Sequence, residues 1–288
     1  MFGVKLSLLA GILFGVLSLI CFGVQDILVS IASKKIGPLK ASFWIAAPIF
    51  TLPAIVFFLI YGSLSIPSVV LIIIIGPIAA GGLLAFTKGM EIGDVSVIAT
   101  IGGTWGAITA TLGFLFLGES ITHVQLFDVI LIVIGTVLVS FNAKEVFRKK
   151  AALGTGIGYG FIAALSFGVY FFFITMLTKE IGWPAATVFV GLPISLCLFV
   201  YMRYKKVGVA IRKKDVPLLL TAGLLGLGGT VFYNLGVTYN YAAVVAPISS
   251  ASPLVTMLIA FLIFGDSLRR NQKAGIVIVV VGLVLLSF

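Results

Sequence analysis

The sequence predicts an all-α membrane protein of ten transmembrane helices, arranged as two inverted five-helix repeats. Three observations lead there: a composition too apolar for a water-facing surface, unbroken apolar runs of helix length, and a pattern of five runs that occurs twice. Of 288 residues, 61% are hydrophobic and 10% charged, against roughly 25% charged in a soluble domain. Mean hydropathy is +1.27. Lipid is therefore the solvent for most of the chain, which excludes a soluble enzyme and a disordered chain. Cys21 and Cys197 are the only cysteines and each lies inside an apolar stretch, so they make no disulfide scaffold. A β-barrel does not fit either, since its strands alternate over ~10 residues and these runs do not.

Crossing a hydrocarbon core of ~30 Å takes about 20 helical residues. Runs that meet this fall at about 6–33, 40–60, 68–88, 95–117, 124–142, 153–178, 185–203, 216–236, 243–264 and 272–288. Connections are short, and Pro38, Pro67, Pro184 and Pro217 stand where helices would begin. The first run, with Lys5 ahead of it and small residues near Cys21 and Gly23, looks like a signal peptide. An internal repeat makes it a permanent helix instead. Gly11, Gly15, Phe22, Gly23, Val24, Ile36-Gly37 and Pro48 recur 145 residues later as Gly156, Gly160, Phe167, Gly168, Val169, Ile181-Gly182 and Pro193.

From the third run the offset is 147. Gly76, Gly81, Gly82 and Gly89 match Gly223, Gly228, Gly229 and Gly236, and the segment from Ile134 to Phe141 parallels that from Val281 to Phe288. The chain divides into a first repeat at 1–142, a charged linker at 143–151 and a second repeat at 152–288. Five spans is an odd number, so the second repeat enters the membrane upside down relative to the first. Secondary transporters use this plan, with the substrate between the halves near the midplane.

The formal charge of +10 comes in short basic runs between spans, which suits anionic headgroups and not nucleic acid. Assigning each basic residue to the nearest span end leaves only Lys5 and Lys179 on one side and the other 17 of the 19 Lys and Arg residues opposite. The positive-inside rule puts that side in the cytoplasm and both termini outside.

Both halves carry a Leu/Phe-rich fourth span ending in Gly and an acid, then Gln, then an Ile/Val span. These are Leu117-Gly118-Glu119-Ser120 with Gln125, and Phe264-Gly265-Asp266-Ser267 with Gln272. With Val245-Ala246-Pro247-Ile248 through Ser252-Pro253, this pattern resembles the EamA-type ten-helix members of the drug/metabolite transporter superfamily. The chain departs from the family in reading Phe22-Gly23-Val24-Gln25 in its first span and Asp128 where a glycine is usual; the second half keeps Gly275. The resemblance implies a carrier of small organic solutes, such as amino acids or related metabolites, with export commoner than uptake. It also implies cytoplasmic termini, against the charge count.

Asp26 is the one acidic residue well inside a span. A carboxylate at the bilayer centre costs at least ~2.5–3.5 kcal/mol, so it should face an aqueous cavity, hold a proton or bind a cation. It is the candidate for proton coupling. Gln25 and Ser30 near it are candidate polar contacts. Trp44, Trp105, Tyr170 and Tyr233 lie within spans and away from the interfaces, where they could line a cavity with Thr87, Thr100, Thr104, Asn234, Ser249 and Ser252 supplying hydrogen bonds. Helix packing is the competing account of the same stripe. Pro247 and Pro253 are candidate hinges, because proline removes a backbone hydrogen bond.

Other features carry no chemistry. The glycine run from Gly154 to Gly160 lacks phosphate-loop spacing, and His123 has no partners for a metal site. Glu119 and Asp266 are expected to tie loop backbone or basic residues, and Asp128 to sit in the first turns of its helix. No cofactor, metal or catalytic group is expected. The expectation is a secondary-active carrier working by alternating access in a cell membrane. A sensor or scramblase is the alternative, and an intramembrane enzyme, lacking a nucleophile with its base, a more distant one.

Overall fold

The computed structural model describes residues 2–47, 64–93, 95–140, 156–264 and 270–285. Outside them lie most of the second expected span with Pro48 and Pro53, the linker at 143–151, the start of the glycine run, and Gly265, Asp266 and Ser267. The described residues form helices and no strand: α1 (Phe2–Ile36), α2 (38–47), α3 (Ile66–Ile92), α4 (Val95–Gly103), α5 (Trp105–Phe116) and α6 (His123–Ser140) in the first half. The second half has α7 (Ile157–Ile181), α8 (Trp183–Phe189), α9 (Gly191–Tyr204), α10 (Val216–Tyr239), α11 (Ala242–Ser250), α12 (Pro253–Phe264) and α13 (Arg270–Leu285).

Helix boundaries follow local chemistry. Ser65 caps α3 by accepting from the Ser68 N–H at 3.2 Å, and Thr122 and Gln125 exchange side chain for backbone ahead of α6, at 3.0 and 3.2 Å, as a capping box. α1 and α7 end at Gly37 and Gly182, whose φ values of 85° and 83° are left-handed and suit glycine. Three expected spans are each two helices. Pro193 and Pro253 lack the N–H that would bond one turn back, and Thr104 turns its hydroxyl to the Ile101 carbonyl at 2.7 Å.

Seven stretches of described residues are long and apolar enough to cross a membrane: Leu9–Ile36, Ile66–Ile92, Val97–Phe116, Ile157–Ile181, Trp183–Tyr204, Lys213–Tyr239 and Ala242–Ile259. The chain is a multi-pass integral membrane protein. Of the other three expected spans, 40–60 is described only at its start, α6 is apolar over the described stretch His123–Leu138, and α13 is described over the 16 residues Arg270–Leu285.

The halves interlock. α1 runs along α10, α7 along α3, and α6 along α13, so the first helix of each half packs on the third of the other and the fifth helices pair. Glycines permit this approach: a Cβ on Gly135 would meet Val279, and one on Gly282 would meet Ile132. Gly82 lies against Phe167, and its counterpart Gly229 against Phe22, the counterpart of Phe167. Thr109 donates to the Gly168 carbonyl at 2.9 Å, and Thr256 to the Gly23 carbonyl at 3.0 Å. Each of these is one contact made twice, across a pseudo-two-fold relation between the repeats.

Candidate functional site

α1 is apolar on both sides of Asp26, so the helix cannot bring this carboxylate to a membrane face. It turns into the bundle, where it is 8% exposed. Its Oδ2 accepts from the Ser252 hydroxyl at 3.3 Å. Among the described residues, no ion pair involves it.

Asp26 lines a cavity of about 130 Å³. Phe22, Gln25 and Val29 join it from α1, Ile45 and Ala46 from α2, and Leu83 and Phe86 from α3. Trp105 begins α5 there, beside Gly102 and Gly103. The second half supplies Phe167, Tyr170 and Phe171 from α7, Gly223, Gly226 and Thr230 from α10, and Ser252 at the head of α12. Among the described residues, Asp26 and Tyr170 are the titratable members of this lining, and no Lys, Arg or His is in it. Both breaks in the fourth helices, at Thr104 and at Ala251 with Ser252, fall beside the cavity. Fully buried Ile174 and Tyr233 pack next to it, on the side where α7 ends.

The pseudo-two-fold relation fails at the cavity centre. Asp26 corresponds to Phe171, and Ser252 to Trp105, by the repeat offsets. Where the first pair is a carboxylate and a hydroxyl, the second is two aromatic rings stacked with centroids 4.0 Å apart. Phe22 meets Trp105 and Phe171 edge-on, at 6.4 and 5.9 Å.

Five expected contact residues thus come together: Gln25, Asp26, Trp105, Tyr170 and Ser252. The others lie elsewhere. Tyr233 is fully buried and shares a hydrogen bond of 2.9 Å with Thr175. Asn234 donates to Thr187 at 2.8 Å, and Thr87 pairs with Ser42 at the same distance, a matched pair under the repeat offsets. Ser249 reaches the Gly15 carbonyl at 3.5 Å, and Trp44 donates to the Val209 carbonyl at 2.8 Å, at the end of the bundle. Ser30 and Thr100 are buried outside the lining. Thr104 is at the break in the fourth span, Pro247 is inside α11, and Pro253 follows the second break. Sequence reasoning passed over Phe22, Phe86, Phe167, Phe171 and Thr230; the repeated Phe22 and Phe167 were the available signal.

Charges outside the cavity fasten the ends. Asp215 is paired with Lys35 at 2.6 Å and Arg212 at 2.9 Å. The corresponding place at the other end holds Glu180, which accepts from Ser65 at 2.8 Å and Ser68 at 2.6 Å. Glu119 accepts from the N–H groups of Ala242 and Ala243, at 3.1 and 2.9 Å, and from Lys179 at 2.8 Å, so it caps α11. Asp128 is buried in α6 with no hydrogen-bond partner for either oxygen among the described residues.

Comparison with known proteins agrees with this doubled architecture. An uncharacterized protein of Methanocaldococcus jannaschii is 28% identical over 138 residues, which cover 47% of this chain and 98% of that one. That relative therefore has about the length of one repeat here. A crystal structure of another protein, at 12% identity, superposes with a TM-score of 0.71 over 96% of each chain and shares the fold. The EamA-like transporter family matches residues 9–141 and again 154–288. On this match over both repeats, the chain belongs to the EamA-like transporter family.

Proposed function

We propose that the protein is a secondary carrier of a small organic solute, an amino acid or related metabolite, that works by alternating access between two inverted halves of five spans each. The observation that carries this reading is the cavity around Asp26, lined by helices of both halves where their fourth helices break. Broken helices around a midplane site are how transporters expose polar backbone without facing lipid. Interlocked helix pairs give two packed units that can rock about such a site. Proton coupling falls to Asp26, because the other titratable residue of the lining, Tyr170, ionises far above physiological pH in its ordinary state. Export is the direction the reading favours, with the basic side in the cytoplasm.

Flux into proteoliposomes tests it. Purified protein should give saturable, solute-specific uptake, with counterflow when the lumen is preloaded. Non-saturating, channel-like rates would overturn the carrier reading. Cysteine labelling of the termini on intact cells checks orientation, and absence of labelling from outside sinks the assignment.

A further inference from the structure

Resting on the carrier reading but narrowing its solute from amino acids to their amine relatives, we infer that the cavity selects a small monoamine, one ammonium on a body about the size of one ring, over the amino acid or carboxylate of the same body. Asp26 supplies one negative charge, and the groups that answer it among the described residues are neutral hydroxyls, Ser252 at 3.3 Å and Thr256 beside it. No ion pair among the described residues answers it. A buried carboxylate in that condition requires a cation or a proton.

The anionic end of a zwitterion finds no cationic counterpart among the described residues, only neutral donors such as Gln25, Tyr170 and Thr230. Among the described residues, the lining holds no basic side chain. Three backbone donors at the two helix breaks are engaged, Thr104 with the Ile101 carbonyl, Ala251 with that of Ile248 and Leu254 with that of Ala251. A solute carboxylate here would lose its hydration and meet the Asp26 charge. An ammonium instead gains Asp26, in a cavity that the stacked Trp105 and Phe171 rings also line, and aromatic rings attract cations. Size sets the body: about 130 Å³ is near the ~150 Å³ cavity known to take benzene.

Titration calorimetry on the purified full chain in detergent, with phenethylamine, phenylalanine and 3-phenylpropanoate, tests this. These three share a body and differ in charge. Phenethylamine should bind at least about tenfold tighter than the other two, with cation–π and ionic contacts both in play. Asp26→Asn should remove that preference and Asp26→Glu restore the order, each checked for monodispersity. Phenylalanine or 3-phenylpropanoate binding as tightly as the amine would overturn the inference. So would no binding by any of the three, or displacement of the amine by millimolar sodium in place of a second amine. The wild-type comparison decides even if Asp26→Asn fails to fold. Saturable flux of some other solute alongside any of these negative results would leave the carrier reading standing.

Discussion

Asp26 with Ser252 and Phe171 with Trp105 occupy equivalent places in the two repeats, yet one pair is acidic and hydroxylic and the other is a ring stack at 4.0 Å. Around them the repeats agree closely: Thr109 and Thr256 make the same bond to a glycine carbonyl, and Ser42 with Thr87 mirrors Thr187 with Asn234. The ends of the bundle differ again, Asp215 between Lys35 and Arg212 on one and Glu180 between two serines on the other. Packing positions preserve the symmetry because both copies bury the same helix surfaces. Positions that meet water or solute are released from that constraint, so the places where symmetry breaks are where function is to be sought.

The strongest way to break this contrast is to neutralise its acidic member. Asp26→Asn should abolish pH-dependent flux in purified, monodisperse protein; retention of the wild-type pH profile would remove Asp26 from coupling. In the wild type, amine binding should weaken as pH falls, since a proton on Asp26 cancels the charge that an ammonium needs. Next come the packing positions. Gly229→Val and Gly82→Val each force a side chain into Phe22 or into Ser166 and Phe167, and each should cost about 1–3 kcal/mol, read as a lower Tm. Gly81→Ala meets nothing within 4 Å and should stay within ~0.5 kcal/mol of wild type.

A smaller effect separates the two ends. Asp215→Asn removes ion pairs whose basic partners are largely exposed, so the loss should be about 1 kcal/mol or less and shrink in high salt. Glu180→Gln, facing hydroxyls, should show no such salt dependence; equal salt responses would erase the distinction. Of similar size are Thr109→Val and Thr256→Val. Each should cost about 0.6 kcal/mol, and at most ~1.7 kcal/mol, the range for hydrogen bonds between membrane helices. Thermal melts giving clearly unequal losses would show that the symmetry stops short of these bonds.

The doubling was legible in sequence because glycines at helix contacts recur at fixed offsets and nothing else tolerates the approach. Asp26 was legible because a charge in an apolar run has few other uses. Its neighbours were harder. Tyr233, Asn234, Thr87 and Ser249 look like cavity residues, yet in a membrane bundle polar groups bond from helix to helix, and the sequence does not say which way they turn. Phe86 and Phe171 were hidden for the opposite reason, since an apolar ring beside a cavity is composed like one in a packed core, and the repeat marked Phe22 and Phe167 without assigning them to a cavity. Of the helix breaks, the one before Pro253 was signalled by its proline, while the one at Thr104 was not, because the apolar run continues through it.

The interlocking of α1 with α10 and of α7 with α3 bears on heredity as well as mechanics. Two separate copies of one five-helix unit, paired in this way, would inherit every change twice, so an acid at the Asp26 position would arrive with a twin facing it across the same cavity. Two carboxylates would then share one small space, or two ring stacks would fill it. Joining the copies in one chain lets each accumulate its own substitutions. One copy carries a lone charge while the other keeps an aromatic wall, and a chamber built by repetition ends with two unlike sides.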